Sequence, residues 1–160
     1  MQAAKDTFLK TLAARLATVN PARTVTMDGA ARPAVLALEN EVPMPADTEL
    51  ETFLLSWQGA SQVAPGQRLM QMECRLSYGS QGTDDLLHTD RGRILTAMDS
   101  ELLQICEPMR VAKCDYTQTP AAALGSFIFW NTPVLGDVKQ AKGVLQLTAL
   151  MTMFFFPEVA

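Results

Sequence analysis

Two stretches of this 160-residue chain carry apolar residues at every second position, the spacing of a strand with one face on a core. In the first, Arg68 to Tyr78, residues Met70, Met72, Cys74, Leu76 and Tyr78 point one way and Gln71, Glu73, Arg75 and Ser77 the other. That is the period-two signature of a sheet with one face on the core. The second stretch, Val144 to Phe156, places Leu145, Leu147, Ala149, Met151 and Met153 opposite Gln146, Thr148 and Thr152. A strand this apolar belongs inside a sheet, because at an open edge it would template aggregation.

Other segments supply the remaining layers. Phe8, Leu9, Leu12, Leu16 and Val19 recur at helical spacing, predicting a helix over 3–18 that Asn20-Pro21 ends. Arg23 to Met27 alternates into Asp28-Gly29, a dipeptide suited to the positive φ of a tight hairpin turn, with Ala34 to Leu38 as the returning, more central strand. Phe53, Leu55 and Trp57 share one side of a strand over 51–58, and Gly59 to Gln67 reads as the turn into Met70. Ile94, Leu95, Met98, Leu102 and Ile105 form a helical stripe that Pro108 closes. Its N-cap is expected at Thr83 or Thr89, and Asp84, Asp85 and Asp90 sit where the helix dipole favours carboxylates. Between 111 and 142 short apolar runs are repeatedly interrupted by Pro and Gly, which suits a long hairpin arm or an extended loop. The expectation is an α+β fold in one domain over 1–160, with a single mixed or antiparallel sheet of about four to six strands packed against two helices.

Composition narrows the class of function. Net charge is −4 with a pI near 4.9, and no Lys or Arg cluster is present, which argues against affinity built on neutralising nucleic-acid phosphates. The charged fraction is 19% and the mean hydropathy +0.08, so some apolar surface is expected to be covered by partners. Cys74, Cys106 and Cys114 form no CxxC pair and have no adjacent histidine, so neither zinc nor a disulfide framework is implied. No signal peptide is read at the N-terminus, and Leu147 to Phe156 is too short for a helical membrane span, which needs about 20 residues. A soluble chain made in the cytoplasm is expected, with no membrane partner.

Catalytic equipment is sparse. The one histidine, His88, lies near Asp85 and Asp90 with Ser77 and Ser80 upstream, but no strained turn presents either serine as a nucleophile. Cys114-Asp115 lacks a histidine partner, TDDLLHTD lacks calcium-loop spacing, and Gly79 to Gly82 lacks the spacing and lysine of a phosphate loop. The reading is therefore no enzyme and no cofactor. The competing possibility is a small ligand-binding domain or enzyme with its pocket near Cys74, Tyr78 and His88.

Two features point instead to protein partners. Glu39, Glu41, Asp47, Glu49 and Glu51 occur without an intervening cation, while Lys5, Lys10, Arg15, Arg23 and Arg32 give the N-terminal third the opposite bias. The acidic segment is either a solvated loop or one half of an interface whose other half is basic. A closed homomeric ring requires both halves on each copy. Glu39, Glu41, Glu49, Glu51, Arg23 and Arg32 are accordingly candidate interface residues. Trp130, after Phe127, Ile128 and Phe129, is either part of a core strand or an anchor for a partner.

Taken together, the helix FLKTLAARL, the strand region RPAVLALENE, the strand MQMECRLSY leading into RGRILTAMDSELLQI, and the terminal LQLTALMTMFFF resemble the bacteriophage tail-terminator family of the minor tail protein U type. The resemblance covers most of the chain as a pattern of elements. It implies a structural virion protein at the head-tail junction: a hexameric ring of identical copies that caps the tail tube and contacts the head-side connector. A head-completion or connector stopper protein is the neighbouring alternative.

Overall fold

A computed structural model describes residues 1–41 and 50–158. The chain begins with α1 (Gln2–Val19), followed by β1 (Thr24–Met27), β2 (Ala30–Pro33), β3 (Val35–Ala37) and the short α2 (Leu38–Glu41). The two long strands β4 (Phe53–Gln62) and β5 (Met70–Ser80) come next, then a 3-10 turn at Asp84–Leu86 and α3 (Arg91–Ile105). The last third is β6 (Arg110–Asp115), β7 (Ala122–Trp130), β8 (Val134–Leu135), β9 (Lys139–Ala141) and β10 (Val144–Phe155).

This overturns the expected single sheet of about four to six strands against two helices. An eight-stranded sheet carries the path β3-β4-β5-β10-β7-β6, with β8 and β9 also paired to β10, and β1 and β2 form a separate two-stranded sheet. Among the described residues three helices accompany them. Ala34 to Leu38 is not the returning arm of the hairpin, either. Asp28 and Gly29 adopt φ of 51° and 78°, and this two-residue turn pairs Met27 with Ala30, making Ala30–Pro33 the return. Val35–Ala37 then joins the large sheet as an edge strand parallel to β4, buried because helical layers cover it.

The segment 111–142 is a second correction, since it extends the sheet and is no free arm. β6 and β7 form a hairpin, and β7, β8 and β9 run in succession along one side of β10 while β5 holds the other. The glycines that interrupt the pattern serve this pairing. Gly125, at φ 68°, lies where β7 carries extra residues against β6, a bulge. At Gly136 a Cβ would stand 2.6 Å from the Thr148 carbonyl oxygen, so only glycine lets the chain run this close to β10. Likewise the strand expected to stop at Gln58 continues to Gln62 through a register shift between Trp57 and Ala60.

The strongest sequence signals hold. β5 lies between two antiparallel neighbours, β4 and β10, and β10 is interior. Their inward residues, Met72, Cys74, Leu76 and Tyr78 with Leu147, Ala149, Met151, Met153 and Phe155, join Phe8, Leu12, Leu16, Leu95, Met98, Leu102 and Ile105 from α1 and α3 in one core cluster. Edge-to-face contacts of Phe8 with Trp57 and Trp130, at 5.6 and 5.0 Å, seat α1 on the sheet. The helix after the 3-10 turn starts at Arg91, and its N-cap is Asp90, not Thr83 or Thr89. Both long helices lie on the same face of the large sheet.

Candidate functional site

Neighbouring strand residues alternate between faces, so every strand that puts a residue under α1 or α3 puts the next one on the opposite side. On β10 those opposite residues are Thr148, Leu150, Thr152 and Phe154, paired across to Ser77, Arg75, Glu73 and Gln71 of β5. On the other side Phe129 faces Phe154, and their rings stack at 5.1 Å. Phe127 continues the row, with the Arg110 guanidinium 3.7 Å from its ring centre, a cation–π contact. Phe127, Phe129, Leu150, Val134 and Phe156 are each more than a third exposed. Across β7 and β10 this face is an apolar stripe flanked by Arg75, Glu73 and Arg110, whereas toward β3 the same face is closed, with Leu36 and Leu54 buried.

The charged residues singled out in the sequence are brought together within the chain. Glu39 pairs with Lys5 at 2.9 Å, and Glu41 pairs with Arg32 at 2.6 Å while accepting a bond from the Ala37 amide at 2.8 Å. Arg23 lies 3.6 Å from Glu51 and makes a two-pronged contact with Glu101, whose Oε1 also accepts from Asn20 Nδ2 at 2.7 Å. Glu51 in turn accepts from the Ser80 hydroxyl at 3.1 Å. Glu49 lies outside the described residues. Trp130 is 3% exposed, and its indole N–H donates to the Cys106 carbonyl at 3.0 Å, which places it in the core strand and not on the surface. The acidic and basic biases of the sequence are thus partly spent on intramolecular pairs that tie α1, β2 and α2, and on the Arg23 cluster that joins the end of α1 to α3.

The residues considered for catalysis do not converge. Cys74 and Tyr78 are buried in the core, whereas His88 is on an exposed loop with Nε2 3.5 Å from Asp84. Burial pushes the Cys74 thiol well above its ordinary value, and pushes Cys106 up to about 12, so neither is a thiolate at neutral pH. Tyr78 donates to Asp99 at 2.7 Å, and burial first, then this bond, raise its phenol. Ser77 faces Thr148 at 3.4 Å, and Ser80 serves Glu51. Among the described residues no group of three or more His, Cys, Asp or Glu could hold a metal ion, and no helix is long and apolar enough to cross a membrane.

Three features escaped the sequence reading. The outer aromatic row was legible in part, because Leu150 and Phe154 fall on the polar face of β10 by simple parity. Glu101 sits on the buried stripe of α3, three residues after Met98, where an acid signals a buried partner. Lys113, 1% exposed, donates to the Phe156 carbonyl at 2.5 Å and to Glu158 at 3.0 Å; nothing in its sequence neighbourhood distinguishes it from a surface lysine. The chain matches no protein-family model and no curated protein.

Proposed function

We propose that this chain is a structural subunit at the phage head-tail junction, the tail terminator, assembling with copies of itself into a ring that caps the tail tube and meets the head-side connector. One observation carries the reading: among the described residues the side of β7 and β10 turned away from α1 and α3 exposes a stripe of aromatic and aliphatic residues, Phe127, Phe129 and Leu150, with the half-buried Phe154 stacked on Phe129. Exposed apolar surface of this kind, rimmed by charge, is what protein interfaces are made of. The long elements on which the family resemblance rests, α1, β4, β5, α3 and β10, follow one another in that order, with β6 to β9 inserted before the closing strand. In the assembled particle this outer face meets other protein chains.

Two experiments test the assignment. Light scattering on the purified chain should give a multiple of 17.5 kDa, with rings visible by electron microscopy. Deleting the gene from its phage should leave filled heads beside overlong or unjoined tails. Normal virions from the deletion would reject the terminator role.

A further inference from the structure

Six apolar residues of the outer face stand in two columns at matching heights. One column is Leu150, Phe154 and Phe156, along and just past β10; the other is Val134, Phe129 and Phe127, with Val134 paired to Leu150 and Phe129 to Phe154. Because the strands are antiparallel, Phe127 and Phe156 each lie two residues further on in the same direction. Val134 is 68% exposed, and Phe154 is the one of the six that is less than a third exposed. With aromatic side chains carrying about 150–250 Å² each, the six leave on the order of 400 Å² of apolar surface in water. A stable interface takes roughly 800 Å² from each partner, a little over half of it apolar, so the stripe with its polar margins has the extent of one.

The pattern is its own complement. The strands run in the order β5-β10-β7-β6, so a half-turn about a line between β10 and β7, along the strands, exchanges the two columns and exchanges β5 with β6. Leu150 of one copy then meets Val134 of the other, Phe154 meets Phe129, and Phe156 meets Phe127. The strands of the two sheets also stay aligned, as stacked sheets do to within about 30°. A half-turn across the strands, centred on the same stripe, would instead set Phe154 over Thr152, apolar onto polar.

The margins complete the match. Glu73 on β5 is half-buried beside Thr152, and Arg110 on β6 stands beside Phe129 with its guanidinium over the Phe127 ring. Neither makes an ion pair among the described residues. Their levels differ by two residues, about 7 Å along a strand, which two long side chains span. The half-turn that joins the apolar columns therefore brings Glu73 of each copy to Arg110 of the other. Three further charges face this side. Arg75 pairs with Leu150, Asp137 follows Gly136, whose amide donates to the Thr148 carbonyl, and Lys139 pairs with Gln146. Lys139 is the furthest of the three from the stripe, so Arg75 of the second copy comes closer in level to Asp137 than to Lys139.

We infer that a second copy of this chain covers the outer face in a two-fold pair, sheet on sheet, with Glu73 of each copy against Arg110 of the other. Such a contact uses the same patch on both copies and stops at two. The inference rests on the reading above that this face meets other protein chains, and it adds how the free chain covers the face until another protein takes it in the particle.

The test is sedimentation equilibrium on the wild type, Glu73→Arg, Arg110→Glu and the double variant, each checked for folding by circular dichroism. As its concentration rises, the wild type should pass from a 17.5 kDa monomer to a dimer before anything larger forms. Each single variant sets like charges together at both margins and should weaken the dimer by about tenfold or more. The double variant, and an equimolar mixture of the two single variants, should pair as the wild type does, because every margin again joins an acid to a base. A wild type that is monomeric at every concentration, single variants that assemble like the wild type, or reversed charges that fail to restore pairing overturn the two-fold contact. The terminator reading is decided separately, by the gene deletion. If a charge variant misfolds, Val134→Glu takes its place: it should be monomeric, and undiminished pairing overturns the contact.

Discussion

The two faces of β10 are built from nearly the same kind of residue and meet opposite fates. Ala149, Met151, Met153 and Phe155 are buried under α1 and α3, whereas Leu150, Phe154 and Phe156 on the other side remain partly in contact with water. Side-chain chemistry does not separate them; the presence of a second layer does. A soluble sheet can leave one face wet, but that face normally carries polar residues. An apolar surplus on the wet face is the part of this molecule that its own fold leaves unexplained.

The largest effect should come from the covered face. Phe155→Ala removes a fully buried ring, and a loss of about 3–5 kcal/mol is expected in chemical denaturation. Phe154→Ser with Phe129→Ser, on the open face, should change monomer stability by well under half of that while weakening assembly. Comparable destabilisation by the two would erase the distinction between the faces.

The helical cover depends on a polar tie as well as on packing. Glu101 is 8% exposed and holds Arg23 and Asn20, so Glu101→Ala leaves a nearly buried guanidinium without its main partner and should cost about 3 kcal/mol. Replacing Arg23 and Glu101 together by Met and Leu should recover much of that loss, as measured by urea unfolding. A harmless Glu101→Ala would show that packing alone closes this face.

The smallest effect concerns the rim, where Glu158 receives bonds from Lys113 and from the N-terminal ammonium. Partial burial pushes its carboxyl up, but these two donors outweigh it and hold it at about 2, against an ordinary 4.5. Because the folded value is depressed, the contribution is present above pH 4.5 and is lost as pH falls toward 2. The stability difference between the wild type and Glu158→Gln should therefore shrink over that window. A difference independent of pH would mean that the carboxylate is not held by charge.

What the sequence made legible follows the same division. α1, β5 and β10 could be read directly, because a long element with one face on a core repeats its period many times. β8 and β9 could not, since two and three residues carry no period, and their place is set by pairing with β10. The return strand Ala30–Pro33 has no strand-like composition; the geometry of the Asp28-Gly29 turn alone selects it over the more apolar Val35–Ala37. For the candidate interface, composition showed acids and bases in separate segments but could not show that Glu39, Glu41 and Glu51 meet Lys5, Arg32 and Arg23 of the same chain. That is decided by distances across 28 to 34 residues for two of the pairs, which only the fold supplies.

The open face is tested most directly by hydroxyl-radical footprinting of the dilute chain and of the assembled particle. Phe127, Phe129 and Phe154 should be oxidised readily in the dilute chain and protected on assembly, with Met153 slow in both. Equal oxidation of the three aromatics in both states would contradict the claim that this face exists to meet other protein chains.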